Sequence, residues 1–91
     1  MQGRRRQIQP ASLRKKAIGV VVSEVRRRAG ISQEKLGAEC GFDRTYVSRL
    51  ERGIMNPTAI RLWKIAESLN TPFHHLVNEM EKWVAEREKG R

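Results

Sequence analysis

Apolar residues recur along this chain at helical spacing and rarely alternate as a strand would require. Ile18, Val22, Val25 and Ala29 stand at i, i+4, i+7 and i+11, one face of a helix. This spacing predicts a first helix over residues 12–29, with Ser12 to cap its start and Gly30 to supply the left-handed residue beyond its end. The run Val20-Val21-Val22 is strand-like in composition, but it lies inside a long helical pattern flanked by charge. A second helix is predicted over residues 33–40. Ser32 is placed to cap it, Glu34 suits the positive end of its dipole, and Leu36 and Cys40 share its inward side. A third is predicted over residues 44–52, between Asp43 as N-cap and Gly53 as the residue past its end. After the loop Ile54-Met55-Asn56-Pro57, a fourth spans residues 58–69, and Ile60, Leu62, Trp63, Ile65, Ala66 and Leu69 give it a broad apolar side. A fifth begins near Pro72 behind a Thr71 cap, and Leu76, Val77, Met80, Trp83 and Val84 carry its stripe towards residue 88. No strand is needed and no segment repeats. The expectation is an all-α fold in three parts: a flexible basic arm (1–11), a helical domain (12–77) and a C-terminal helical extension (78–91).

Charge narrows the range of partners. The 91 residues carry a formal net charge of +9, and a chain this short supports a single core. Residues 1–64 hold fifteen Lys or Arg against five Asp or Glu, whereas residues 65–91 hold four against five. Basic charge concentrated in one part of a fold attracts polyanions, nucleic acid above all. A solvated surface is the bland reading. An acidic membrane surface fits less well, because the basic segments lack a strong aromatic and apolar face. No apolar run approaches the ~20 residues of a membrane span, and Met1 to Gln9 lacks the apolar stretch of a signal peptide. The single Cys40 has no internal disulfide partner, which suits a reducing, cytoplasmic setting.

The third helix carries the most informative face. With Arg44 set at 0° and about 100° per residue, Ser48 falls at about 40°, Arg52 at about 80°, Thr45 at about 100° and Arg49 at about 140°. Val47 and Leu50 lie on the other side, at about 300° and about 240°. One side therefore offers three arginines, a serine and a threonine with no acid, and the other offers two aliphatics as an anchor. Arg44 and Arg49 provide planar donor forks that match guanine O6 and N7 in a major groove. Thr45 and Ser48 are short enough for close approach to base edges, and Arg52, near the helix end, is better placed for a phosphate. The second helix, turn and third helix together have the size of a helix-turn-helix unit.

The stretch from Gly30 to Gly53, GISQEKLGAECGFDRTYVSRLERG, followed by Asn56-Pro57-Thr58, closely resembles the Cro/C1-type, XRE-like helix-turn-helix family. The resemblance covers roughly residues 15–77. It implies a compact five-helix, lambda-repressor-like domain that binds a palindromic operator in double-stranded DNA as a homodimer. Position by position, it implies that Gln33 bonds a phosphate and that Arg44, Thr45 and Arg49 read bases, with Ser48 a fourth. It further implies that Tyr46 and Asn56 lie near the DNA backbone and that Arg26 and Glu51 form a partly buried ion pair between the first and third helices. Two positions depart from the family. Gly37 stands where Ala is usual, which weakens the second helix by roughly 0.5–1 kcal/mol, although the site faces the third helix. Arg44 stands where Gln or Ser is common, so the operator sequence does not transfer from relatives.

Outside this unit, Lys15 and Lys16 at the start of the first helix are candidate phosphate contacts. Arg4, Arg5 and Arg6 in the arm either wrap into a groove or add nonspecific attraction alone. Leu76, Met80, Trp83 and Val84 form an apolar face read as a dimer seam, the alternative being that the tail folds back on its own core. His74 and His75 are adjacent, and zinc ligands want spaced clusters, so no metal is expected. Cys40 reads as a small buried hydrophobe. No catalytic constellation is apparent, and no cofactor, membrane or small-molecule ligand is expected. The function these features imply is a transcriptional regulator, a repressor or controller protein acting on the nucleoid. The alternative is an antitoxin whose tail covers a toxin and which also binds its own promoter.

Overall fold

A computed structural model describes residue 8 and residues 10–89. The predicted helices form as α1 (Ala11–Arg28), α2 (Gln33–Cys40), α3 (Arg44–Glu51), α4 (Ala59–Ser68) and α5 (Phe73–Lys89). There is no strand among the described residues.

Their ends differ from the predicted caps in informative ways. α1 starts one residue early, with Pro10 at the N-cap position and its carbonyl accepting from the amides of Leu13 and Arg14. Ser12 therefore lies inside the first turn and caps nothing. Pro10 has a φ of −59° with extended ψ, already suited to entering a helix. Asp43 does occupy the N-cap position of α3, but its carboxylate makes no capping hydrogen bond. α3 ends at Glu51, with Arg52 as its C-cap. Thr71 does not cap α5. Its hydroxyl donates to the carbonyl of Leu69, and the Pro72 carbonyl accepts from the amides of His75 and Leu76. Ser32 and Thr58 do act as N-caps, accepting from the amides of Lys35 and Arg61 at 3.0 and 3.2 Å.

Two apolar clusters hold the helices, and α1 runs between them. The larger joins Val22 of α1 to Leu36 and Cys40 of α2, Val47 and Leu50 of α3, and Ile65 and the neighbouring Leu69 of α4. The smaller joins Val21 of α1 to Ala66 of α4 and Leu76 of α5, with Phe73, Met80 and Trp83 packed around it. A helix covered on two sides needs apolar residues at adjacent positions, which accounts for the strand-like valine run. Ala29, expected on the inward face, is exposed, because the helix ends at Arg28 and turns away there.

α5 removes two of the four residues expected at a dimer seam. It is one uninterrupted helix across residues 77 and 78 and runs on through the extension to Lys89. Leu76 is 0% exposed and Val84 is 4% exposed, while Met80 and Trp83 are half-buried around α1. Leu76 and Val84 are thus spent on the chain's own core, while Met80 and Trp83 keep part of their surface open to solvent. Burying one such aliphatic side chain stabilises by about 1.5–3 kcal/mol, which favours fold-back over an open tail. The large apolar side chains left in solvent lie elsewhere. Ile60 is 65% exposed and Trp63 49% on α4, and Val77 lies on the outer side of α5. Trp63 stacks on Phe73, with ring centroids 4.3 Å apart. Among the described residues, no helix is long and apolar enough to cross a membrane.

Candidate nucleic-acid interface

Two glycines set how α3 is presented. Gly37, in the middle of α2, lies against the turn that leads into α3. A Cβ built there would sit 2.6 Å from the Phe42 carbonyl oxygen, and the Phe42 amide donates to the Gly37 carbonyl at 2.7 Å. The departure from the family's usual Ala thus lets the turn approach α2 more closely than any side chain allows. At the other end of α3, a Cβ on Gly19 of α1 would lie 2.6 Å from the carbonyl oxygens of both Leu50 and Glu51. α3 is therefore gripped by backbone contact at its entry and its exit. Between α2 and α3, Gly41 takes a left-handed φ of 77°, a conformation that costs glycine little, and so breaks α2 sharply enough to form the turn.

A buried polar network fixes the angle of α3 to α1. Arg26 Nε donates to Glu51 Oε2 at 2.6 Å, and Arg26 Nη2 donates to Oε1 at 3.0 Å, a bidentate pair. Arg26 Nη1 donates to the Ile31 carbonyl at 2.9 Å, and Gln33 Nε2 donates to Glu51 Oε1 at 2.9 Å. Both charged side chains are largely excluded from solvent. The hydrogen bond to Glu51 holds the Arg26 guanidinium above its ordinary pKa despite the opposing effect of burial. Gln33, expected at a phosphate, thus already spends one amide hydrogen inside the protein. Its second remains to donate.

The outward face of α3 is open. Arg44, Thr45, Arg49 and Arg52 are exposed and Ser48 is half-buried, while Val47 and Leu50 are each 1% exposed in the core. No carboxylate lies within ion-pairing distance of Arg44, Arg49 or Arg52 among the described residues. The other expected contacts surround this face to different degrees. Lys16 passes the C-terminal end of α3, since a Cβ on Gly53 would lie 3.1 Å from its Cα. Lys15 beside it is half-buried. Asn56 is exposed in the loop between α3 and α4. Tyr46 is half-buried and meets Phe42 edge to face at 5.1 Å. Arg4, Arg5 and Arg6 lie outside the described residues.

Sequence reasoning missed Gly19 and Arg61. A glycine inside a strongly periodic helix is a signal of close backbone approach, and Gly19 carried that signal unused. Arg61 gave none, because its role depends on rings fifteen and nineteen positions earlier in the chain. Its guanidinium lies 4.8 Å from the Tyr46 ring centroid and 5.4 Å from that of Phe42. Elsewhere, His74 and His75 are exposed. Among the described residues, no group of three His, Cys, Asp or Glu is placed to hold a metal ion. Cys40 is buried in the core, and burial pushes its thiol pKa up.

A sequence model described as helix-turn-helix matches residues 22–76. The chain belongs to the Cro/C1-type, XRE-like helix-turn-helix family. It is 40% identical over 63 residues to the HTH-type transcriptional regulator y4dJ of Sinorhizobium fredii, covering 69% of this chain and 82% of that protein. It is 40% identical over 52 residues to the control protein C.BamHI of Bacillus amyloliquefaciens, covering 56% and 64%. Among solved structures, it is similar to the restriction-modification controller protein C.AhdI of Aeromonas hydrophila. The TM-score is 0.71 with 31% identity, over 75% of this chain and 99% of that one. The five-helix lambda-repressor-like fold is thus shared with XRE-like regulators, and the matched span contains α2, the turn and α3 whole.

Proposed function

We propose that this XRE-like protein is a sequence-specific regulator of transcription that lays α3 in the major groove of double-stranded DNA. Arg44, Thr45, Ser48 and Arg49 meet base edges. Gln33, Tyr46, Arg52, Asn56, Lys15 and Lys16 meet phosphates on either side and set the register. The observation that carries this reading is the division of α3: an exposed face with three uncompensated arginines and no acid, opposite two aliphatics locked in the core. Names of relatives support a regulator or controller, and the antitoxin reading is set aside because no observation favours it. The protein acts in the cytoplasm, on the nucleoid, and carries no catalytic activity in this reading.

A single domain of this size reads one half-site, so two copies on a palindrome are the economical arrangement. With Leu76 and Val84 enclosed, the face that serves two-fold pairing is the one formed by Ile60, Trp63, Phe73 and Val77. Selection of bound sites from random duplex DNA tests both parts. The expected result is a palindrome with half-site centres one helical turn apart, ~34 Å. Recovery of unrelated sequences, with equal affinity for selected and random duplexes at ~200 mM salt, where charge-only binding is weak, would overturn the reading.

A further inference from the structure

Arg61 lies outside the helix-turn-helix unit, and its surroundings are unusual for a surface arginine. It is the third residue of α4, exposed, yet its guanidinium sits over two rings, Tyr46 of α3 and Phe42 of the preceding turn. Those rings also contact each other edge to face. Among the described residues, no acceptor hydrogen-bonds its side chain and no carboxylate pairs with it. A guanidinium laid on an aromatic face keeps its charge and its in-plane N–H donors free at the edge.

The position of the stack indicates what those donors would meet. On the α3 wheel, Tyr46 falls at about 200°, between the reading edge at Arg49 and the core edge at Leu50. A helix about 10–12 Å across fills a major groove about 12 Å wide. Side chains on the border between its reading and buried halves therefore face the sugar–phosphate walls. Arg61 stands directly over that border.

We propose that Arg61 is a phosphate-binding residue of the DNA interface, with Tyr46 and Phe42 holding its guanidinium ready beside the backbone strand that flanks α3. This rests on α3 entering a major groove. The rings restrict a long side chain before the phosphate arrives, so less freedom is lost on binding. The contact extends the footprint from the helix-turn-helix to α4 and adds affinity without reading sequence.

The test follows duplex binding by fluorescence anisotropy between ~50 and ~200 mM salt, on a selected site and on random duplex, for wild type, Arg61→Gln, Arg61→Lys and Lys64→Gln. Lys64→Gln removes the same charge one turn along α4, on a residue not placed at the interface. One lost phosphate contact makes the slope of log K against log salt shallower by about 0.9. Arg61→Gln should therefore bind both duplexes more weakly at low salt, with a deficit that shrinks about threefold over this range. Arg61→Lys should keep the wild-type slope, and Lys64→Gln should lose clearly less slope than Arg61→Gln. An unchanged slope in Arg61→Gln overturns the assignment, whether or not its melting temperature falls. An equal loss in Lys64→Gln also overturns it, by reducing Arg61 to general charge. Wild type that binds no duplex would instead overturn the function itself, a distinct result.

Discussion

The two ends of the recognition unit and the α5 side of the molecule are held by different means. Around α3, the packing of Val47 and Leu50 is supplemented by backbone-against-backbone contact at Gly19 and Gly37 and by one buried ion pair. Around α5, the fixing contacts are aliphatic and aromatic side chains packed on α1, with the exposed Trp63 stacked on Phe73 at the cluster's edge. Side-chain packing tolerates small shifts, whereas backbone contacts and a bidentate pair define an angle. The DNA-reading end is therefore built for orientation and the α5 side for stability, and substitutions on the two sides should fail differently.

The largest effect is expected at the ion pair. Arg26→Ala strands Glu51 in a site nearly closed to water and should cost about 3–5 kcal/mol of stability in denaturant titration. The double variant Arg26→Met, Glu51→Leu should recover most of that loss while leaving operator affinity poor. Full recovery of both would show that the pair does not orient α3. On the other side, Leu76→Ala should cost about 2–5 kcal/mol. The fraction that remains folded should bind the selected site with unchanged sequence preference, and altered preference would break the contrast. Gly19→Ala inserts a methyl where two carbonyl oxygens lie 2.6 Å away. It should cost about 1–3 kcal/mol as overpacking does, and should lower specific binding out of proportion, because α3 must move. A stability loss with normal DNA binding would argue against backbone contact as the orienting device. The smallest effect on folding belongs to Arg49→Ala. It should leave the melting temperature near wild type and relax preference at one base pair by about 1–3 kcal/mol, measured with a panel of single-base operator variants.

Much of this division was legible in the chain. The 3.6-residue pattern located all five helices, and the angular separation of Arg44 and Arg49 from Val47 and Leu50 on α3 showed which face is buried. Local pattern failed where the partner is distant or where two local solutions compete. Ser12 and Thr71 are good capping residues, yet proline carbonyls one or two positions away accept the first amides. The stripe Leu76, Met80, Trp83 and Val84 has the same periodicity whether it meets a second chain or α1, and only the tertiary path of α5 separates the two. Arg61 reads as an ordinary solvated charge on α4 until the fold brings Phe42 and Tyr46 beneath it.

The burial of Cys40 has a practical consequence. Its sulfur lies in the same cluster as Leu36 and Ile65, between α2 and α4, and its raised pKa keeps it as the unreactive thiol. Cys40 is 6% exposed and borders a surface cleft lined by Glu39, Lys64, Glu67 and Ser68, so a thiol-directed reagent reaches it fastest when that cleft widens. The rate at which an alkylating label is incorporated therefore reports motion of α2 against α4 at that cleft, from within the native sequence and without an added probe.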